Sequence, residues 1–256
     1  MIEVQATHPN LSALFDPKIP NNPILFATLM GHTPGRAWVD DPGNPSQCLV
    51  RVNGSLVFIS SSADQAFLEE GFEIIKQFSH VVFVSRRGES TLQIPKADRI
   101  LQRLEFAEYD AESQSIADLI NGGLPDGFEI RDIDTELVKK IDSREDIESY
   151  CGSLENFLAH GFGICLMQSG EIVSEAYAPF VTARNAELAT FTKEAHRGHG
   201  YATKTCARFI QTCRGRGLEP YWSCDADNLA SASVARKLGF KHEREYEILL
   251  YRGAQK

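Results

Sequence analysis

Residues 187–202 constrain this chain more than any other stretch. Ala186 to Thr192 reads as a strand, Lys193 to Gly200 as a turn with two glycines, and Tyr201 to Arg216 as a helix. Ala202, Cys206, Phe209, Ile210 and Cys213 recur in that helix at i, i+4, i+7, i+8 and i+11, the spacing of one buried face. Lys204 and Arg208 lie on the other face, and Gly215 and Gly217 supply the stop. The first turn of a helix has unpaired N–H groups and a partial positive charge. Gly198 and Gly200 let a backbone come close to an anion there, and Arg197 and Lys204 can add charge-assisted hydrogen bonds. Six cations and one anion fall between Lys193 and Arg216, a local net of +5 in a chain of formal net charge −9. A solvated helix face explains most basic runs. Cations flanking a glycine turn favour a small phosphate-bearing ligand instead.

Two ligands suit such a turn. A dinucleotide needs G-x-G-x-x-G directly after a strand and an acidic residue about 20 positions on. Here Thr203 occupies the third glycine site, and Lys193 to Arg197 separate the strand from Gly198. Asp225 does end the next strand, but only one helix and one strand pattern follow it. The other ligand is coenzyme A. Arg197-Gly198-His199-Gly200-Tyr201-Ala202 resembles the acyl-CoA pyrophosphate loop of the GNAT N-acetyltransferase superfamily. From about Phe128 to Arg252 the elements also follow that family's order: strand, helices, hairpin, strand, loop, helix, strand, helix, strand. Pro220-Tyr221-Trp222-Ser223-Cys224, Asn228, Ser231 and Lys237-Leu238-Gly239-Phe240 resemble the second half of such domains. The ensemble is most similar to the two-domain branch that includes the zwittermicin self-resistance acetyltransferase.

The resemblance implies an α/β (α+β) fold, a mixed sheet with flanking helices at 125–256, preceded by a mixed α/β domain at 1–124. It implies acetyl-CoA as co-substrate, without a metal, and direct transfer of acetyl to a primary amine of a small molecule. Phe191 and Thr192 would bind the pantetheine arm, and Arg197, Gly198, His199, Gly200, Tyr201 and Ala202 the diphosphate. Asn228 matches a position that contacts pantetheine or a nearby water, and Asp227 or Asn228 is also a good N-cap for Leu229 to Leu238. Glu187 is the candidate base that takes the ammonium proton, with a solvated strand-end glutamate as the plainer alternative. A backbone N–H of the same strand would meet the oxyanion. The family's usual acid, a Tyr five residues before the Phe of the Gly-Phe pair, is replaced here by Ala235. Ser231, Tyr221 or a water would then serve, with Ser231 the named candidate, or no acid is needed. That departure also motivates the alternative of a non-catalytic acyl-CoA-binding or regulatory module on the same fold.

The remaining sequence sets bounds. The 256 residues are 43% hydrophobic and 24% charged, globular values that leave no room for wholesale disorder. An acidic chain is a poor general nucleic-acid binder. No apolar run approaches the roughly 18 residues of a membrane span, and the first residues carry Glu3 and no basic leader. Six scattered cysteines without CxxC spacing read as reduced, buried thiols in a cytoplasmic protein. Cys224 reads as core rather than as an acyl acceptor, and His196 and His160 as surface residues. Monomer and homodimer both remain open.

Seven of the 11 prolines fall between Pro9 and Pro45, so loops are expected there, with Ile24 to Met30 as helix or strand. Asn53-Gly54-Ser55 between two apolar runs predicts a hairpin, and Ala63 to Phe78 a helix. Val81 to Ser85 and Ile100 to Tyr109 read as strands, and Glu112 to Ile120 as a short helix. Leu124-Pro125-Asp126-Gly127 is the expected boundary between halves. The first half is expected to be a degenerate GNAT-like unit that forms one wall of the acceptor site. Trp38-Val39-Asp40-Asp41 reads as a buried Trp before a surface acidic turn.

Overall fold

The computed structural model describes residues 1–53, 55–78, 80–85, 92–110, 116, 118, 119, 123, 124 and 126–252. Its larger sheet has eight strands. β1 (Ile2–Gln5), β2 (Gly35–Val39), β3 (Cys48–Val52) and β4 (Leu56–Ile59) pair antiparallel in turn. β5 (His80–Ser85) runs parallel to β4. The order then leaves the sequence. The final strand β14 (Phe240–Arg252) lies between β5 and β6 (Arg99–Tyr109), and β13 (Ser223–Asp225) closes the far side of β6. The predicted 53–55 hairpin is present, as β3 and β4. The boundary expected at 124/125 therefore does not separate two sheets, because strands from beyond it complete the sheet built before it.

A helix covers each face of this sheet. α1 (Asn22–Leu29) settles the ambiguous apolar segment as helix, with Pro in its first turn, where a missing N–H costs nothing. It packs Leu25 and Ala27 against Val39, Val50 and Phe58. α2 (Gln65–Ile75) is capped by Asp64, whose carboxylate accepts from Phe67 N. It lays Phe67, Leu68, Phe72 and Ile75 on Trp38, Leu49, Val57 and Phe83 of the other face. Trp38 is thus core, and Asp40 accepts from the Ser46 and Gln47 amides, the plain reading of that acidic turn.

The second sheet has the order β11 (Ala189–Thr192), β9 (Glu171–Ala178), β8 (Phe162–Gln168), β7 (Phe128–Asp132), all antiparallel. Its middle strands are buried on both faces, which is why 162–167 reads as one continuous apolar run. One face holds α3 (Arg144–Cys151) and α4 (Leu154–His160), the other α5 (Tyr201–Gly215). The single helix expected over 147–160 is two. Gly152 turns left-handed at φ 80°, and Ser153 restarts the chain by accepting from Asn156 N. The helix expected to begin at Asp134 is only a 3-10 turn, Leu137–Lys139. The helix expected over 112–120 lies mostly outside the described residues.

The last elements are β10 (Asn185–Glu187) and β12 (Glu219–Tyr221), which pair in parallel, and α6 (Leu229–Lys237). One core joins the two halves: Leu104, Phe106 and Ile116 pack with Phe162, Phe209, Trp222 and Phe240. All six cysteines are free and buried.

Candidate functional site

Two strands that read as continuous are each broken once. Residues 185–192 divide at Leu188 into β10 and β11, and 219–225 divide at Trp222 into β12 and β13. Before the breaks the strands are paired, Glu187 opposite Tyr221. After them β11 follows β9 and β13 follows β6, in different sheets. The strands part, and a wedge opens between them with Glu187 at its apex. Leu188 N–H donates to Tyr221 O (2.9 Å) on the wedge side, and Lys193 N–H donates to Val173 O (3.1 Å) on the β9 side. Antiparallel alternation then turns the backbone N–H and C=O of Thr190 and Thr192 into the wedge, and those of Phe191 toward β9. Thr190 was missed in the sequence, because alternation has no phase until the partner strand is known. Phe191 contributes its ring, 36% exposed, rather than its backbone.

The wedge opens into a groove of about 550 Å³. Thr190, Phe191 and Thr192 form one side, and His196, Arg197, Gly198, Gly200, Tyr201 and Ala202 the floor. Asn228, Ser231 and Lys237 are on the opposite side. Of the residues expected to bind coenzyme, only His199 does not line it; its ring stacks on Tyr201 at 5.6 Å. Gly198 and Gly200 both have φ 79°, with open space where a Cβ would stand, so the turn needs their left-handed conformation rather than their small size. Gly200 is the N-cap of α5, and no acidic residue occupies the first turn. Arg197 Nε donates to Thr192 O (3.0 Å), tying turn to strand. Ala202 lines the groove rather than the core, while Thr203 and Thr205 are buried with Cys206.

Lys204 does not serve the turn. Its Nζ donates to Gly123 O (2.8 Å), and it lines a separate small cavity with Arg208. Lys237 and His196 are the further basic side chains at the groove, although the sequence reads one as a helix-end residue and the other as surface. Helix-terminal amides, left-handed glycines, Arg197 and an open strand edge form a donor set that suits a diphosphate carrying an amide-bearing arm.

Asn228 is both groove residue and N-cap: its Oδ1 accepts from Ser231 N (3.1 Å). Ser231 Oγ accepts from Trp222 Nε1 (3.1 Å). Ala235 is fully buried in the core, so that position presents nothing to the groove. Burial pushes the Cys224 thiol up, which opposes its ionising as a nucleophile. His160 stacks on His32 at 4.8 Å, outside the groove lining.

Glu187 is half-buried. Burial pushes its carboxyl up to about 7, against the opposing pull of the Arg103 charge. The surrounding polar cluster draws on both halves. Arg103 on β6 donates to Asp225 Oδ1 (2.7 Å), Ser223 Oγ (3.2 Å) and Tyr246 OH (3.2 Å). Asn21, left-handed at φ 56° and buried, accepts on Oδ1 from Ser223 Oγ (3.2 Å) and Tyr246 OH (3.0 Å). Its N–H donates to Tyr221 OH (2.9 Å), and that hydroxyl donates to the buried carboxylate of Glu105, which also holds Arg244 at 2.8 Å. Where β12 leaves β6, a second cavity of about 620 Å³ is lined by Lys18, Tyr109, Asn185, Tyr221 and Arg244, among others. Among the described residues, no group of three or more His, Cys, Asp or Glu could hold a metal ion, and no helix is long and apolar enough to cross a membrane.

The family model for GNAT acetyltransferases matches residues 12–249, across both halves. An uncharacterized N-acetyltransferase, YdfB of Bacillus subtilis (strain 168), is 27% identical over 250 residues, covering 93% of this chain and 94% of the relative. The fold is similar to a GCN5-related N-acetyltransferase-like protein from Streptococcus suis 89/1591. Its TM-score is 0.71 at 22% identity, over 96% of this chain and 98% of that one. A tandem GNAT protein from the clavulanic acid biosynthesis pathway gives a TM-score of 0.63 at 14% identity, over 98% and 94% of the two chains.

Proposed function

This chain belongs to the GNAT acetyltransferase family, and on that premise we propose that it transfers acetyl from acetyl-CoA to a primary amine of a small polar molecule by direct attack. The observation that carries the reading is Glu187, a carboxyl with its proton affinity near neutrality at the apex of the wedge. When bound, the co-substrate supplies an activated thioester carbonyl. The amides of the 197–202 turn hold its diphosphate, with Arg197 and Lys237 adding charge. Thr190 and Thr192 offer the backbone groups that would bond the pantetheine amides as a neighbouring strand would. At the apex Glu187 takes the ammonium proton of the acceptor. A base with affinity near the working pH is partly ionised at rest and still strong enough to deprotonate an amine. An N–H of the broken strand meets the negative charge on the carbonyl oxygen. Ser231, whose oxygen accepts from Trp222 Nε1, is the candidate that donates a hydrogen bond to the departing thiolate, which takes its proton from water.

We read 125–256 as the transferase half and 1–124 as the acceptor-side half of one continuous body, in keeping with the two-domain branch that the sequence resembles. The acceptor approaches on the side where β6, β14 and residues 17–22 face the β10–β12 pair. The lining of the second cavity, with Lys18, Arg244 and Asn185, favours a polar acceptor over an apolar one.

The test is thiol release from acetyl-CoA over a panel of primary amines, with wild type and Glu187→Gln. For the amine that wild type accepts, the variant is expected to lose 10²- to 10⁴-fold, on the order of a general base, while still binding acetyl-CoA. An undiminished rate would remove Glu187 from the reaction.

A further inference from the structure

The second cavity carries cationic groups that the reaction above does not use. We propose that it anchors a carboxylate on the acceptor: the amines this chain acetylates are ω-amino acids, held by Lys18 and Arg244 with the amine extended toward Glu187. The inference deepens the transfer reading and rests on it.

The cavity is a second parting of strands. Ser223 pairs with Glu105 on β6, but residues 219–221 leave β6 and pair with β10 instead. The gap of about 620 Å³ opens there, with Pro17, Lys18 and Asn22 along its side at the start of α1. It lies on the face of the sheet that carries Glu187. Glu187 is opposite Tyr221, Ser223 is opposite Glu105, and Glu105 is opposite Arg244. The Tyr221 hydroxyl and Arg244 both meet the Glu105 carboxylate on this face, while Ala186, Leu188, Leu104 and Trp222 turn into the core behind it. Asn185, two residues before Glu187 on the same side of β10, lines the cavity with Tyr221. That step is roughly 7 Å along the strand.

The charges around the cavity are unequally spent. Glu108 is met by His242 (3.1 Å) and Glu219 by Arg184 (3.5 Å). Glu105, 3% exposed, already holds Tyr221 and Arg244. Lys18 Nζ has no partner among the described residues. Arg244 is 43% exposed and meets only Glu105 among them, at 2.8 Å, so its guanidinium keeps N–H groups to give. One cation in excess of the paired groups matches a singly charged carboxylate better than a phosphate, and a guanidinium grips a carboxylate with two parallel N–H groups. The sheet also sets the length. Three strand spacings, roughly 14 Å in all, separate the Arg244 backbone from that of Glu187. The two side chains close part of that span, and several bonds of the acceptor must cross the rest. An ω-amino acid does so; an α-amino acid, with its amine beside its carboxylate, does not.

The test is thiol release at saturating acetyl-CoA with ω-amino acids from β-alanine to ε-aminocaproate, each against the alkylamine of the same chain length. In wild type the ω-amino acid of fitting length is expected to exceed its alkylamine by about 10-fold or more in kcat/KM, chiefly through KM. Lys18→Gln, a change at an exposed side chain that spares the fold, should shrink that ratio by about the same factor, and so should Arg244→Gln, both with acetyl-CoA binding retained. Equal kcat/KM within every pair would overturn the carboxylate anchor and leave the transferase standing. A second readout needs no turnover: calorimetric titration of the ω-amino acids into the full chain saturated with coenzyme A. Binding that weakens in Lys18→Gln, with no thiol release from either series, would support the anchor and count against the transfer reading alone. No binding of any ω-amino acid would overturn the anchor.

Discussion

The raised proton affinity of Glu187 ties folding to pH. The unfolded chain releases this proton near 4.5 and the folded chain near 7, so between those values the folded state holds the extra proton. Stability therefore falls as pH rises through that window, by about 3 kcal/mol in all. Glu187→Gln cannot ionise and is free of this loss. Denaturant unfolding at pH 5 and pH 8 should show the variant gaining on wild type by about that amount. Parallel pH dependence in the two proteins would mean that the fold does not raise the Glu187 carboxyl. The residue was legible as a candidate, since a glutamate at a strand end before a glycine turn stands out. Its environment was not. Arg103, Tyr246 and Asn21 are respectively 84, 59 and 166 positions away along the chain, and no local pattern marks a residue that meets its partners only through strand order.

At the scale of elements, the sequence carried the glycine turn and α5 well, because a 3.6-residue apolar stripe and a left-handed helix start are local properties. The breaks at Leu188 and Trp222 were not visible. Each interrupts a run that reads as one strand, and the cause lies elsewhere, in the two sheets that compete for its two ends. The same limit hid Thr190 and misplaced Lys204, whose partner Gly123 lies across the fold. The turn itself gives a sharp expectation. Gly200 sits at φ 79° with no atom near an added Cβ, so Gly200→Ala strains the backbone without a collision. It should cost about 1–2 kcal/mol in unfolding free energy and weaken acetyl-CoA several-fold in a binding titration. Unchanged affinity would show that the helix start does not hold the diphosphate.

For the whole molecule, the expected 124/125 boundary rests on local turn chemistry and says nothing of pairing. β14 lies between β5 and β6, and the family match runs through both halves. Deleting residues 1–124 would strip both edges of β14 and uncover Phe240, Trp222 and Tyr246. The remainder is expected to aggregate, and the intact chain to unfold in one calorimetric transition. Two resolved transitions would restore the picture of independent domains.

If residues 190–202, with α6, form a coenzyme A site, the melting temperature of the full chain depends on acetyl-CoA. At about 100 times the dissociation constant the ligand adds roughly 2.7 kcal/mol, which for a chain of this size raises the transition by about 5–10 °C. That rise is expected in wild type, with a smaller one in Gly200→Ala. No rise at millimolar acetyl-CoA would contradict that site.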